Sequence, residues 1–160
     1  MKAATVNEIK QTLNNLSAAE LTTICLRLAR YKKENKELIT YLLYEADDLD
    51  AYIGHAKEEI DLGFGDINDS TVYFAKKGLR KILRAVNKYI RYTGSKTVEA
   101  ELLLHYTARL SGMKLPLKKN TVLLNLYKGQ LKKIRAAIST MHEDLQYDYL
   151  RQLAALEEAV

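Results

Sequence analysis

The sequence predicts an all-α protein, and three observations support this. Apolar residues recur every three to four positions rather than every two, as in amphipathic helices. Seven glycines and one proline in 160 residues leave few positions that break a helix. Polar clusters typical of helix ends separate the periodic segments, and no alternating segment indicates a strand. We expect about six to eight helices in an irregular array of αα-hairpins or a small superhelix, forming one domain over residues 1–160.

The N-terminal part shows two helix starts and an ambiguous polar segment. Apolar periodicity predicts a short helix over 6–14. Ser17 followed by Glu20 is a capping box, which predicts a second helix. No aliphatic residue occurs in 31–36, so either the second helix continues through this segment or the chain turns near Asn35. We favour the turn, because asparagine is a good N-cap.

The middle of the chain contains two further helices and a glycine-rich turn. The acidic residues that open 47–62 predict the cap and first turn of a helix. The segment 63–69 contains two glycines and is the clearest turn in the sequence. Asp69 or Ser70 then caps the next helix, and Gly94 is expected to end it as a C-cap.

The C-terminal part predicts one ordinary helix, a loop and one long helix. The first spans 97–110, the loop 111–120 contains the only proline, and the long helix runs over 120–158. The apolar positions expected to face the core on the long helix are Leu124, Tyr127, Leu131, Ile134, Ile138, Met141 and Leu145.

A weak internal similarity bears on the arrangement. The segment 30–46 resembles 91–108 if one insertion is allowed, and both have the pattern of a helix end, a polar turn and a helix start. Two helical hairpins about 60 residues apart fit an αα-superhelix better than a four-helix bundle, which remains the alternative.

Two ligand-binding motifs are suggested by short stretches and are not favoured. The GFGD stretch within 63–66 lacks the context of a phosphate-binding loop, and an acid follows its glycines. Asp48, Asp50 and Glu59 have the first, third and last spacings of a calcium loop. Ile53 stands where that loop needs glycine, so a capped helix explains these residues better.

Metal binding and catalysis are not favoured either. Glu101 and His105 are spaced for chelation on one helix, but no second ligand pair accompanies them. Two acids follow His142, but adjacent residues point to different faces, so we expect the histidines, including His55, to be solvated or hydrogen-bonded at helix edges. Cys25 lies on an apolar face, which predicts an inert thiol packed in the core. We predict no metal, no cofactor and no enzymatic activity, and an enzyme with a non-local site is the remaining alternative.

Two segments are strongly basic. Residues 74–96 contain eight Lys and Arg and no acid, and 109–135 repeat this composition. Alternating spacings of four and three place their cations in stripes along helices, and such stripes suit a polyanion such as nucleic acid. The candidate polyanion-binding residues are Lys77, Lys81, Arg84, Lys88, Arg91, Lys128, Lys132 and Arg135. The tyrosines that accompany them, which can stack on bases, are Tyr73, Tyr89, Tyr92 and Tyr127.

The opposing interpretation is that the fold neutralises these cations itself. Residues 45–66 contain eight acids and one lysine, and they directly precede the first basic segment. Residues 142–158 add further acids beside the second. Consecutive helices usually pack together, so acidic and basic faces can meet within the fold. We favour this interpretation slightly over a polyanion site.

The functional hypothesis is therefore a non-catalytic helical protein that binds a protein partner, or itself, on a helical surface. Nucleic-acid binding through the basic helices is the alternative, favoured in part by a net charge of +5. The single cysteine and the absence of a leader-like or membrane-spanning stretch predict a soluble, cytoplasmic protein with no membrane partner. No small-molecule substrate is predicted.

Overall fold

The structure, a computed structural model, describes residues 2–160 and confirms the all-α prediction. The described chain is 79% helical and has no strand. A short 3-10 turn over Leu117–Lys119 precedes α7. The described residues form eight α-helices: α1 (Val6–Leu13), α2 (Ala18–Tyr31), α3 (Lys33–Tyr44), α4 (Leu49–Gly65), α5 (Val72–Thr93), α6 (Lys96–Ser111), α7 (Thr121–Ile138) and α8 (Glu143–Glu158). Among the described residues, no helix is both long and apolar enough to cross a bilayer.

The contacts within the chain divide it into two compact units. The first, Met1–Glu45, contains α1 to α3, and α2 packs on α3 there. The second, Ala46–Val160, contains α4 to α8. Within this unit α6 is central, because α4, α5, α7 and α8 all pack against it. The expectation of one domain over 1–160 stays a prediction.

The core of the second unit is built around α6. Leucines and other apolar residues lie on most sides of α6, so this helix has no wide polar face. Neighbouring helices therefore bury it on several sides. The buried residues of α6 are Val98, Ala100, Leu102, Leu103, Leu104, Tyr106, Thr107 and Leu110. The Tyr106 hydroxyl donates to the carbonyl of Leu79 (3.1 Å), which satisfies the polar end of a fully buried ring.

The first helices follow the predicted caps, but the break between α2 and α3 lies three residues earlier than expected. The Ser17–Glu20 capping box is present. The chain breaks at Lys32, whose extended backbone separates the two helices. Asn35 is not the cap, because it lies inside α3 and its Nδ2 donates to the carbonyl of Leu28 (2.9 Å). The side-chain amide of Asn35 therefore binds the last turn of α2 instead of capping the start of α3.

The prediction that Cys25 packs in the core is wrong. Cys25 is exposed, and its helix has no buried residue. Tyr41 is the only buried side chain among the described residues of the first unit. A unit of three short helices buries a small fraction of its surface, so an apolar face on α2 does not become a closed core. The predicted reason for an inert thiol therefore does not hold.

The glycine-rich segment predicted as a turn is largely helical. Helix α4 continues through Gly63 to Gly65, and the turn begins only at Asp66. Thr71, not Asp69 or Ser70, caps α5, and its Oγ1 accepts from the Phe74 amide (3.3 Å). A Cβ on Gly63 would lie 3.0 Å from Ile82 Cγ1, so this glycine allows α4 and α5 to pack closely. Close packing here outweighs the low helix propensity of glycine.

The predicted long C-terminal helix is two helices. Helix α7 ends at Ile138, and α8 begins at Glu143 after a short turn. His142 is the N-cap of α8, and its Nδ1 accepts a hydrogen bond from the Asp144 backbone amide (3.3 Å). The turn returns α8 against α7, and the Tyr127 hydroxyl donates to the Leu156 carbonyl (2.9 Å). The chain therefore breaks where the sequence pattern predicts a continuous helix, because packing of α8 against α7 contributes more than helix propensity does.

The expected core face of the C-terminal helix is confirmed only in α7. Four of its predicted positions are buried there: Tyr127, Leu131, Ile134 and Ile138. Leu123 is buried in place of the neighbouring Leu124. Met141 lies in the turn, and Leu145 on α8 is exposed.

Gly94 ends α5 as predicted, and its backbone is left-handed, with φ of 62°. We expect Gly94→Ala to lower the free energy of unfolding by about 1 kcal/mol, because a Cβ is disfavoured in this conformation. Apart from Gly94 and its two chain neighbours, the described residues place no heavy atom within 4 Å of that Cβ position, so the loss reports backbone strain. Urea unfolding measures it, and Gly54→Ala within α4, where the Cβ also meets open space, is the control. Equal stability of wild type and Gly94→Ala would contradict the prediction.

Candidate binding groove and cationic ridge

An apolar groove lies between α4 and α5 in the second unit. It encloses about 430 Å³ and is open to solvent along one side. Ile60 and Gly63 of α4, and Ile82 of α5, line its apolar interior. Ile60 and Ile82 belong to the buried core, so the interior of this "α4–α5 groove" is continuous with the core. Grooves of this size with mainly apolar walls are typical binding sites.

The groove owes its shape to close packing beside two glycines. Gly63 lies against Ile82, as described above. On α5, a Cβ on Gly78 would lie 3.0 Å from Ile67 Cγ1, so Gly78 allows the turn after α4 to pack directly on α5. Ile67 and Gly78 both line the groove. Larger side chains at these glycines would push the walls apart or fill the space between them.

Charged side chains of opposite sign line the two sides of the groove. Lys77, Lys81 and Arg84 line the α5 side and are exposed. Glu59 and Asp66 belong to the α4 side. Among the described residues, no ion pair joins these two sets. The groove is therefore polarised, with cations on one side and fewer carboxylates on the other.

An exposed aromatic ring also lines the groove. Phe74, in the first turn of α5, is 46% exposed and contacts the groove. Its ring packs edge-on against Tyr73, with 5.4 Å between the ring centroids. The exposed ring of Phe74 therefore adds apolar surface to the groove at the start of α5.

The predicted stripe on α5 is present and faces outward. Lys77, Lys81, Arg84 and Arg91 are exposed, and within residues 2–160 none of them forms an ion pair with a carboxylate. Lys88 is half-buried, with Nζ 5.5 Å from the centroid of the Tyr89 ring. We call these five residues the cationic ridge. The opposite face of α5 is buried through Ala75, Leu79, Ile82 and Val86.

The structure separates the second basic group from the first. Lys128 and Lys132 of α7 are exposed, whereas Arg135 pairs with Glu157 of α8. Helices α5 and α7 each pack on α6. The eight candidate residues are thus divided between two helices, and Arg135 has a partner within the fold.

The predicted tyrosines differ in their accessibility. Tyr127 is fully buried, and its hydroxyl is bound to the carbonyl of Leu156 as described above. Burial raises the pKa of its phenol. The expectation that Tyr127 is available to stack on a base is therefore wrong. Tyr73 is 67% exposed, and Tyr89 and Tyr92 are half-buried.

Two ion-pair sites join α4 to α6, and one of them involves an acid of α4, Asp61. Asp61 Oδ1 lies 2.7 Å from His105 Nε2 and 3.1 Å from Arg109 Nε. In the same way, Lys57 of α4 donates to Glu101 of α6 (2.6 Å). Sequence reasoning missed this polar seam, although the spacing of 101, 105 and 109 by four residues marks one face of α6. Among the described residues, direct pairing does not neutralise the exposed cations of the ridge.

Glu101 is the centre of this seam. Lys57 Nζ donates to its Oε2, and the Tyr149 hydroxyl donates to its Oε1 (2.8 Å). Burial by itself would raise the pKa of Glu101, but the hydrogen bonds from Lys57 and Tyr149 outweigh burial and lower it. Burial, and then the hydrogen bond to this carboxylate, raise the pKa of Tyr149 to about 12. The carboxylate thus joins α4, α6 and α8 while it is ionised.

The Glu101–His105 pair considered for metal binding has other partners. Glu101 binds Lys57 and Tyr149, and His105 faces Asp61. Within the part of the chain that the structure describes, no group of three or more His, Cys, Asp or Glu is arranged to hold a metal ion. The expectation of no metal and no cofactor stays a prediction.

Comparison with known proteins adds no relative to this picture. No protein-family model, no curated protein and no solved structure matches the chain.

Proposed function

We propose that this protein is a non-catalytic interaction protein that binds an apolar segment of a protein partner in the α4–α5 groove. The observation that carries the proposal is the groove itself: an apolar interior continuous with the core, open to solvent and lined by the exposed ring of Phe74. Apolar grooves between helices bind peptide segments by taking up their apolar side chains.

Nucleic-acid binding through the cationic ridge is the second candidate. The exposed, unpaired cations on α5 favour it, because phosphate contacts depend on such side chains. Two observations favour a protein partner instead: Glu59 and Asp66 lie at the same groove, where they would repel phosphates, and the buried Tyr127 removes one predicted stacking platform. A cytoplasmic location belongs to the proposal, since a reducing compartment suits an exposed free thiol at Cys25.

The proposal is tested by photo-crosslinking in the cells that produce the protein. Phe74 is replaced by the photoreactive residue p-benzoylphenylalanine, and Tyr147, which is 73% exposed on α8, is replaced in the same way as a control. We expect a discrete protein adduct at position 74, absent at position 147 and unchanged by nuclease, because the groove holds the partner against position 74.

Three outcomes contradict this proposal. Identical adducts at both positions would show that any exposed position is labelled. An adduct lost after nuclease treatment would favour the nucleic-acid candidate. Absence of any protein adduct at position 74 would argue against a partner in the groove.

A further inference from the structure

We infer that the segment bound in the α4–α5 groove is an amphipathic helix with an apolar stripe and a row of carboxylates along one flank. This inference rests on the proposed function and adds the chemistry of the partner. It follows from the placement of three exposed cations along one side of an apolar groove, opposite two carboxylates.

The spacing of the cations matches the repeat of a helix. Lys77, Lys81 and Arg84 are separated by four and three residues on α5 and lie along the same side of the groove. Seven residues of helix span about 10 Å, or two turns. A helix lying along α5 presents flank positions at the same repeat, so three carboxylates at these spacings face three cations.

The exposure of these three cations, and the absence of an ion pair with any described carboxylate, favour an external partner. All three are exposed, and the carboxylates of residues 2–160 form no ion pair with them. Binding therefore breaks no existing ion pair on this side of the groove. Asp61 of α4 does not compete for these cations, because it faces His105 and Arg109.

The opposite side of the groove limits the partner further. Glu59 and Asp66 would repel a helix that is acidic on both flanks. A helix with carboxylates on one flank and neutral or basic residues on the other fits both sides. Three cations against two carboxylates leave the groove with a positive excess, so the bound segment has an acidic excess.

The apolar interior excludes purely electrostatic binding. Ile60 and Ile82 form part of the interior, and Phe74 extends the apolar surface at the start of α5. An occupant without apolar side chains would leave the half-exposed ring of Phe74 in contact with water. The partner therefore combines an apolar stripe with the acidic flank, and a chain that is only polyanionic fits less well.

The inference is tested with two labelled helical peptides of equal length and identical apolar stripe. One has glutamates along one flank and lysines along the other, and the second has lysines along both. Fluorescence anisotropy measures their binding to the full chain. We expect the acid-flanked peptide to bind about tenfold more tightly, and a rise in salt to reduce this difference.

Two double variants with the same change in net charge locate the effect. Lys81→Glu with Arg84→Glu reverses the charge beside the groove, and Lys128→Glu with Lys132→Glu reverses it on α7. We expect the first pair to weaken the acid-flanked peptide about tenfold and to strengthen the lysine-flanked one, because each flank then meets the opposite charge. The α7 pair should change either affinity less than about twofold. Circular dichroism melts establish that both variants remain folded.

Several results would overturn the inference. Equal effects of the two double variants would show that net charge alone is responsible. Failure of the acid-flanked peptide to bind at about 1 mM, or equal binding of both peptides, would exclude the acidic flank. Displacement of the peptide by a single-stranded oligonucleotide that binds more tightly would assign the ridge to nucleic acid.

The same assay separates this inference from the proposed function. Phe74→Ala removes an apolar wall of the groove and leaves the ridge unchanged. If Phe74→Ala weakens peptide binding while the charge reversals have no effect, the groove binds apolar helices but the acidic flank is wrong. If neither change affects binding and no adduct forms at position 74 in cells, the groove is not the binding site at all.

Discussion

Leu103→Ala is expected to lower the free energy of unfolding by about 2–5 kcal/mol, the largest effect that we predict for this protein. Leu103 is fully buried in α6, the helix on which α4, α5, α7 and α8 all pack. Truncation to alanine removes apolar contacts and leaves a cavity that the surrounding helices fill only in part. A loss at the upper end of the range would show that these helices do not collapse around the smaller side chain.

Urea unfolding followed by far-ultraviolet circular dichroism and by tyrosine fluorescence measures this effect. Coincidence of the two curves shows that unfolding is a single transition, as the comparison requires. Leu145→Ala is the matched control, because Leu145 is 50% exposed on α8 and its truncation should cost no more than about 0.5 kcal/mol. A loss below about 1 kcal/mol for Leu103→Ala would mean that α6 is not the centre of the core.

Glu101→Gln is expected to lower the free energy of unfolding by about 1–2 kcal/mol at pH 7, since it removes charged hydrogen bonds at a partly exposed site. The glutamate has a folded-state pKa below its ordinary value of 4.5. A carboxyl with a lowered pKa adds stability above its unfolded-state pKa, and this contribution is lost as the pH falls through the folded-state pKa. The wild type should therefore lose its advantage over the variant as the pH falls below about 4.5.

Unfolding of wild type and variant between about pH 3 and pH 7 checks this prediction. Glu58→Gln is the control, because Glu58 is exposed on α4, one residue after Lys57, and lies outside the seam. A difference between wild type and Glu101→Gln that stays constant over this range would show that ionisation of Glu101 does not stabilise the fold. A pH-dependent loss of the same size in Glu58→Gln would point to net charge rather than to the seam.

Local signals predicted most helix ends well. The Ser17–Glu20 capping box and the Gly94 C-cap both require only neighbouring atoms, and both are present. The prediction failed where distant packing outweighs local preference. Gly63 is helical because its missing side chain allows Ile82 of α5 to approach. This contact could not be predicted from the residues around Gly63, because Ile82 lies nineteen residues further along the chain. The turn before α8 likewise depends on the packing of α8 against α7.

The candidate site was predicted only in part. The spacing of cations along α5 placed Lys77, Lys81 and Arg84 on an outward face, and the structure confirms that they are exposed. The groove beside them was not predicted, because it depends on residues from α4, the following turn and α5 that are separate in the sequence. The apolar pattern placed Tyr127 on the core face, and its burial rules out the base stacking for which it was also considered.

The sequence by itself determined that this protein is helical, where several helices begin and end, and which face of α5 is cationic. These properties depend on interactions within a few residues, such as caps, backbone propensity and the 3.6-residue repeat. The tertiary structure alone decided which partner each face meets: Asp61 of α4 pairs with His105 of α6 instead of with the ridge, and Cys25 is exposed. The physical reason is that burial and ion pairing depend on distances between segments that are far apart in the chain, and such distances exist only after the helices have packed.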